Sequence, residues 1–395
     1  MGTTRGPTEP LRTHRDPQQA VFIELLFDVV FVFAFTRLSE RLVDRLDWIG
    51  FCETLVLTAA LWRVWYRTAR MTNRYAPSRP VIQFLVIATM FASLMMAVAI
   101  PRAFAERGAV FAGLYVGLQM LRHVWLVLLG GDRDAQLVSI RILFWATISS
   151  GPWIAGAFAE GGARLAWWTV GVGIDYLAGI LDFPTPRLGR AGLGRQRIAA
   201  EHLAERYRQI LIIGLGETLL ASGIEVTPYG FDRARMVALT VSFAITVLLA
   251  LIYFHRAGQI LPAAILASKN PGRVGELGSV AHLIMVLGIV ISAVGDKLII
   301  DAPLGRAEPA WVLVIFVGPA LFLAGRALLE YAIYSRVAWP RPVGLLLLAT
   351  VAPATIGLPP VVVAAAAAAV LAIIAVTSLY LRRMLHRELA PPPRT

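Results

Sequence analysis

The sequence predicts an all-α polytopic membrane bundle of about twelve transmembrane helices, and three observations carry that prediction. Of the 395 residues, 57% are hydrophobic and 16% are charged, well to the apolar side of an ordinary soluble domain. Apolar runs of about 17 to 25 residues recur along the whole chain, each long enough to cross a hydrocarbon layer of about 30 Å. Basic residues gather in alternate connections between those runs, the distribution that orients helical membrane proteins. A run of this length in lipid has to be helical, because a helix satisfies its own backbone N–H and C=O groups within one segment.

Taken in order, residues 1–19 are rich in Arg, Pro and Thr and read as a disordered cytosolic tail. They are no signal peptide, since the apolar run that follows carries Glu24 and Asp28 and offers no small-residue cleavage site. The helical domain covers 20–381, with spans expected at 20–38, 48–66, 80–100, 109–129, 138–159 and 165–182. After a basic loop, 184–197, spans follow at 203–223, 235–255, 278–300, 310–334, 342–358 and 360–381. The loop sequence PTPRLGRAGLGRQR suits a flexible segment against anionic headgroups, worth about 1 kcal/mol per basic side chain near the surface. Leu358, Pro359 and Pro360 alone separate the last two spans, which read equally as a hairpin that stops short of crossing. The first and seventh spans both enter with an early Glu, a symmetry that suggests two six-helix halves, 20–182 and 203–381. A second basic cytosolic tail closes the chain at 382–395.

The formal net charge is +12, yet nucleic acid is excluded as a partner. The arginines sit in short connections between apolar runs, among them Arg67, Arg70, Arg74 and Arg79 on one side and Arg187, Arg190, Arg195 and Arg197 on the same side later. There they set orientation, placing both termini in the cytoplasm. Cys52 is the single cysteine, which excludes a disulfide framework and reads as a small buried hydrophobe. Trp62, Trp65, Trp153, Trp167, Trp168, Trp311 and Trp339 fall near span ends and read as interfacial anchors.

Candidate functional residues are those whose charge is costly in lipid. The stretch from Glu201 to Gly223 places His202, Glu205, Arg206, Gln209 and Glu217 within one helix face about 120° wide. Glu24 and Asp28 share a face at i and i+4. Asp175 and Asp182 are expected together on one face of the sixth span, and His282 with Asp296 on the ninth. Arg63, Arg122, His123 and Arg141 are counter-ion candidates near the inner ends of other spans. A row of Glu205, Glu217 and Asp296 reads either as a proton relay or as three separate structural pairs. The histidines read as hydrogen-bonded packing residues, and no metal or cofactor is expected.

Three stretches together resemble a known family. They are IELLFDVVFVFAFTRLS from Ile23, HLAERYRQILIIGLGETLLASG from His202 and HLIMVLGIVISAVGDKLI from His282, and they resemble the bacterial low-temperature-requirement A proteins. The family's Glu-Leu-Phe-Phe-Asp pattern falls on Glu24 through Asp28, with Leu26 in place of a Phe. Its His-x-x-Glu-Arg pattern falls on His202, Glu205 and Arg206, and Gly-Glu-Ser on Gly216, Glu217 and Thr218. The resemblance implies a polytopic protein of the bacterial inner membrane and brings no substrate with it.

The leading functional expectation is cation- or proton-coupled transport through an acidic cavity lined by Glu24, Asp28, Glu205 and Glu217. Its partners are the lipid bilayer and a small cation, a proton or an amphipathic small molecule. An intramembrane enzyme on a lipid or isoprenoid, using Asp175, Asp182, Glu24 and Asp28, is the first alternative. A membrane scaffold without catalysis is the second.

Overall fold

The computed structural model describes residues 21–129, 133–192, 199–254, 257–268 and 271–388, leaving out the side chains of 257–260 and 381–388. The expected tail 1–19, the end of the second tail and residues 193–197 of the basic loop lie outside the described residues. Among the described residues there are thirteen α-helices and no strand. They are α1 (Phe22–Asp44), α2 (Trp48–Arg74), α3 (Pro80–Ala99), α4 (Gly108–Leu128), α5 (Arg133–Phe158), α6 (Gly161–Ile180) and α7 (Ala200–Val226). There follow α8 (Arg233–Phe254), α9 (Ala257–Ala267), α10 (Pro271–Asp301), α11 (Pro309–Tyr334), α12 (Pro340–Ala354) and α13 (Pro360–Glu388).

Local chemistry sets the helix starts. Proline opens α3, α10, α11, α12 and α13, where its missing N–H costs nothing and its fixed φ is already helical. Asp47 caps α2 by accepting from the Gly50 amide at 2.6 Å, and that amide holds its carboxyl below the ordinary carboxylate range. Eight helices, α3, α4, α5, α7, α8, α10, α11 and α13, are long and apolar enough to cross a membrane. The expected crossing at 342–358 is realised as α12, only 15 residues and about 22 Å long at 1.5 Å per residue. Between α8 and α10 the expected loop instead contains α9, 11 residues, too short to register as a span.

Two compact units can be distinguished, one within Met1–Ile213 and Leu261–Ser279, the other within Gly214–Ile260 and Val280–Thr395. In the first, α2 is packed by α1, α3, α4 and α6 and is buried on every side from Val56 to Ala69. Such a helix is expected to be apolar all round, yet it carries Arg63 and Arg67 in that stretch. Aromatic rings join α4, α5 and α6: Trp153 lies 4.4 Å from Tyr115 and 5.3 Å from Trp168, centroid to centroid. The Trp168 Nε1 donates to the Trp153 carbonyl at 3.1 Å. The expectation that these tryptophans anchor the interface is therefore corrected for Trp62, Trp65, Trp153 and Trp168, all buried, while Trp167 and Trp339 remain exposed. Cys52, expected inside, is exposed.

The second unit is organised by close helix approach. A Cβ on Gly288 of α10 would stand 2.6 Å from the Phe322 amide nitrogen of α11, and one on Gly325 of α11 would stand 2.6 Å from the Ala281 carbonyl oxygen. Small residues at such a seam let backbones touch where lipid offers no hydrophobic drive for association. A buried charge network ties the neighbouring helices: Glu330 meets Arg326 at 2.9 Å and Arg341 at 3.4 Å, and Arg341 also donates to Ser378. Gly288→Val is expected to lower the thermal midpoint of the purified protein, on the scale of about 1–3 kcal/mol for overpacking. An unchanged midpoint would contradict the close approach.

Candidate functional site

The first unit brings α1 and α7 together through four of the sequence candidates. Glu24 and His202 are buried, with His202 Nε2 3.1 Å from Glu24 Oε1 and 3.0 Å from Oε2. Asn73 fixes the tautomer. Its Oδ1 accepts from the Ala199 amide at 3.1 Å, so its amide nitrogen faces both the Ala199 carbonyl and His202 Nδ1. With Nδ1 accepting, the ring proton sits on Nε2 and is donated to Glu24. One turn along α1, Asp28 Oδ1 accepts from Arg206 Nη2 and from Trp65 Nε1, each at 2.7 Å. The two carboxylates expected side by side are thus already served by a guanidinium, an imidazole and an indole.

The remaining candidates are dispersed. Asp175 accepts from the Tyr115 hydroxyl at 2.7 Å, and its backbone carbonyl accepts from Arg63. Asp182 does not share a helix face with Asp175, because α6 ends at Ile180 and Asp182 has φ +63°. There it closes a loop, its carboxylate accepting from the Gly192 amide at 2.8 Å. Glu205 is half-buried and accepts from Gln209 at 3.2 Å. In the second unit Glu217 and Asp296 are both buried and within electrostatic reach of each other, with Ser242 beside Asp296. His282 packs edge-on against Tyr253 and shares a 2.9 Å hydrogen bond with its hydroxyl.

The first unit also contains a cavity of about 90 Å3 that the acidic candidates do not line. Arg63, Arg67, Arg70 and Arg74 reach it from α2, Arg122 and His123 from α4, and Glu276 from α10. Met71, Leu126, Val138, Ile142 and Phe183 supply an apolar wall. Arg63 lies over the Tyr176 ring and Arg67 over the Phe183 ring, each 4.9 Å from the centroid, contacts that fix the planes of the two guanidiniums. Glu276 accepts from the Tyr66 hydroxyl at 2.8 Å. Arg122 is 3% exposed, and among the described residues none of its three side-chain nitrogens has a hydrogen-bond partner. Both ring nitrogens of the buried His123 lack one among these residues as well. These two residues were counter-ion candidates for the acids, and among the described residues they pair with none; Arg141 donates instead to the Leu188 carbonyl.

Sequence reasoning missed this cavity although a signal for it was present. Arg63, Arg67, Arg70 and Arg74 are spaced i, i+4, i+7 and i+11, one continuous helix face. Ending the second span at residue 66 placed three of them in an orienting loop, whereas α2 runs on to Arg74.

Comparison with known proteins decides the family. The family model of the bacterial low temperature requirement A protein (LtrA) matches residues 19–376. The chain belongs to the LtrA family. A relative from Rhizobium meliloti (strain 1021), the uncharacterized protein RA0937, is 32% identical over 317 residues, covering 80% of this chain and 78% of its own length. No solved structure matches the chain. In this LtrA protein the motif residues of the first and seventh predicted spans, Glu24, Asp28, His202 and Arg206, are the ones that hydrogen-bond between α1 and α7.

Proposed function

We propose that this LtrA protein is a membrane carrier for an anionic solute and that the arginine-lined cavity is where the solute is recognised. The observation that supports this reading is Arg122, a buried guanidinium with no hydrogen-bond partner among the described residues. Buried charges are ordinarily paired, because leaving one alone costs several kcal/mol. An anion arriving from outside the protein supplies the missing partner. Glu24 and Asp28, by contrast, already accept from His202, Arg206 and Trp65, which leaves Asp28 Oδ2 as their one oxygen without a hydrogen-bond partner among the described residues. In this reading the protein lies in the bacterial inner membrane with both ends in the cytoplasm, and the cavity opens inward beside Arg70 and Arg74, where orienting charges belong.

Proteoliposome flux is the test. Labelled small anions should enter faster than into protein-free vesicles, and the reading fails if a broad anion panel shows no difference. The same vesicles address a second reading, motivated by Asp296 of the second unit, whose Oδ2 is buried without a hydrogen-bond partner among the described residues. If that carboxyl carries a proton or a small cation in exchange, an imposed pH or sodium gradient accelerates anion entry. Rates independent of both gradients remove coupling from the account, and cation flux without anion flux reverses the primary assignment. A scaffold without transport gives neither.

A further inference from the structure

We infer that the cavity is built for a phosphate monoester, its phosphoryl group among the arginines and its organic substituent against the apolar wall. The inference rests on the anion reading above and narrows it by charge, shape and surface. Leaving Arg74 aside, four guanidiniums, Arg63, Arg67, Arg70 and Arg122, face the cavity. Two carboxylates stand against them, Glu276 in the lining and Asp175 within electrostatic reach of Arg63 and Arg67. Both carboxylates are already hydrogen-bonded to tyrosines, Tyr66 and Tyr115. Among the described residues the excess is at least two positive charges. A chloride or a carboxylate answers one of them, whereas a phosphate monoester carries about −1.5 to −2 at neutral pH and answers both.

Shape agrees with charge. Guanidinium forks match the oxygen pairs of a tetrahedral oxyanion, and the Arg63 and Arg67 planes are held by their aromatic neighbours. The cavity of about 90 Å3 is several times the about 10–15 Å3 that one water needs, room enough for a phosphoryl group. The substituent beside the phosphoryl group meets the apolar wall, where Val138, Ile142 and Phe183 belong to one buried hydrophobic cluster. An apolar substituent fits that surface, whether the ester is a membrane lipid with a phosphate head or a water-borne alkyl phosphate.

Calorimetric titration of the full-length detergent-purified protein tests the assignment. Inorganic phosphate and sulfate should bind, and octyl phosphate should bind at least tenfold tighter than phosphate because its chain covers the wall. Octyl sulfate, singly charged, should bind at least tenfold weaker than octyl phosphate. Lowering pH through about 6, where the phosphate monoester takes up its second proton, should weaken octyl phosphate and leave inorganic sulfate unchanged. Arg122→Gln should cost tenfold or more in phosphate affinity, with Arg122→Lys intermediate and both variants folded by circular dichroism. Competition by phosphatidate in nanodiscs assigns the ester to the membrane, and its absence with octyl phosphate still bound assigns it to water; either keeps the phosphoryl class. If acetate and chloride bind as tightly as phosphate and depend on Arg122, the phosphoryl assignment is overturned while the anion site stands. If no anion binds, both fall, and binding of phosphate indifferent to Arg122→Gln places the site elsewhere and overturns the inference.

Discussion

Arg206→Met is expected to cost about 3–5 kcal/mol of stability, the range seen when one partner of a buried ion pair is removed. Arg206 is 1% exposed, donates to Asp28 at 2.7 Å and approaches Glu24 at 3.9 Å. Without it, two buried carboxylates are left with an imidazole and an indole. A loss of that size is a large part of the 5–15 kcal/mol that separates a typical native protein from its unfolded state. Intrinsic-fluorescence melting of the detergent-purified variant measures it. Asp28→Leu in the Arg206→Met background should recover part of the loss, because an apolar pair in place of a buried ionic one is often neutral or better. A single variant that melts with the native protein contradicts the view that α1 and α7 are joined by this cluster.

Arg122→Met should act in the opposite sense on stability while abolishing transport. A charged group buried without a partner costs about 1–3 kcal/mol or more, so replacing Arg122 with an apolar side chain of similar length should raise the melting midpoint of the ligand-free protein. Anion flux should fall to the level of protein-free vesicles. Gain of stability with loss of activity is the behaviour of a residue kept for a ligand rather than for the fold. Were the variant less stable and still active, Arg122 would belong to the packing and the cavity would lose its recognition role.

The architecture was largely legible because its signal is long: an apolar run of about 20 residues in lipid has helix as its solution. The errors fall where that signal is short or ambiguous. The 11 residues of α9 are too few to resemble a span, and the lower third of α2 was hidden because arginines mark loops as readily as they mark a lined cavity. Trp65 and Trp153 sit near span ends, which suits an interfacial ring, yet both are buried; position along a helix does not report which face is packed. Glu24 and Asp28 could be placed on one face from i, i+4 spacing. Their partners His202 and Arg206 each lie 178 residues away, a separation that spacing rules do not reach. The arginine face of α2 was readable from its periodicity. The absence of hydrogen-bond partners for Arg122 among the described residues was not, since that depends on what the neighbouring helices fail to supply.

The most direct measurement is anomalous scattering from crystals grown with tungstate, a heavy tetrahedral dianion. A peak is expected inside the first unit within hydrogen-bonding distance of Arg122 and Arg67, lost in Arg122→Gln crystals. A cavity without tungsten while other surface sites are occupied, or an Arg122 found bonded to a carboxylate of the chain, would contradict it.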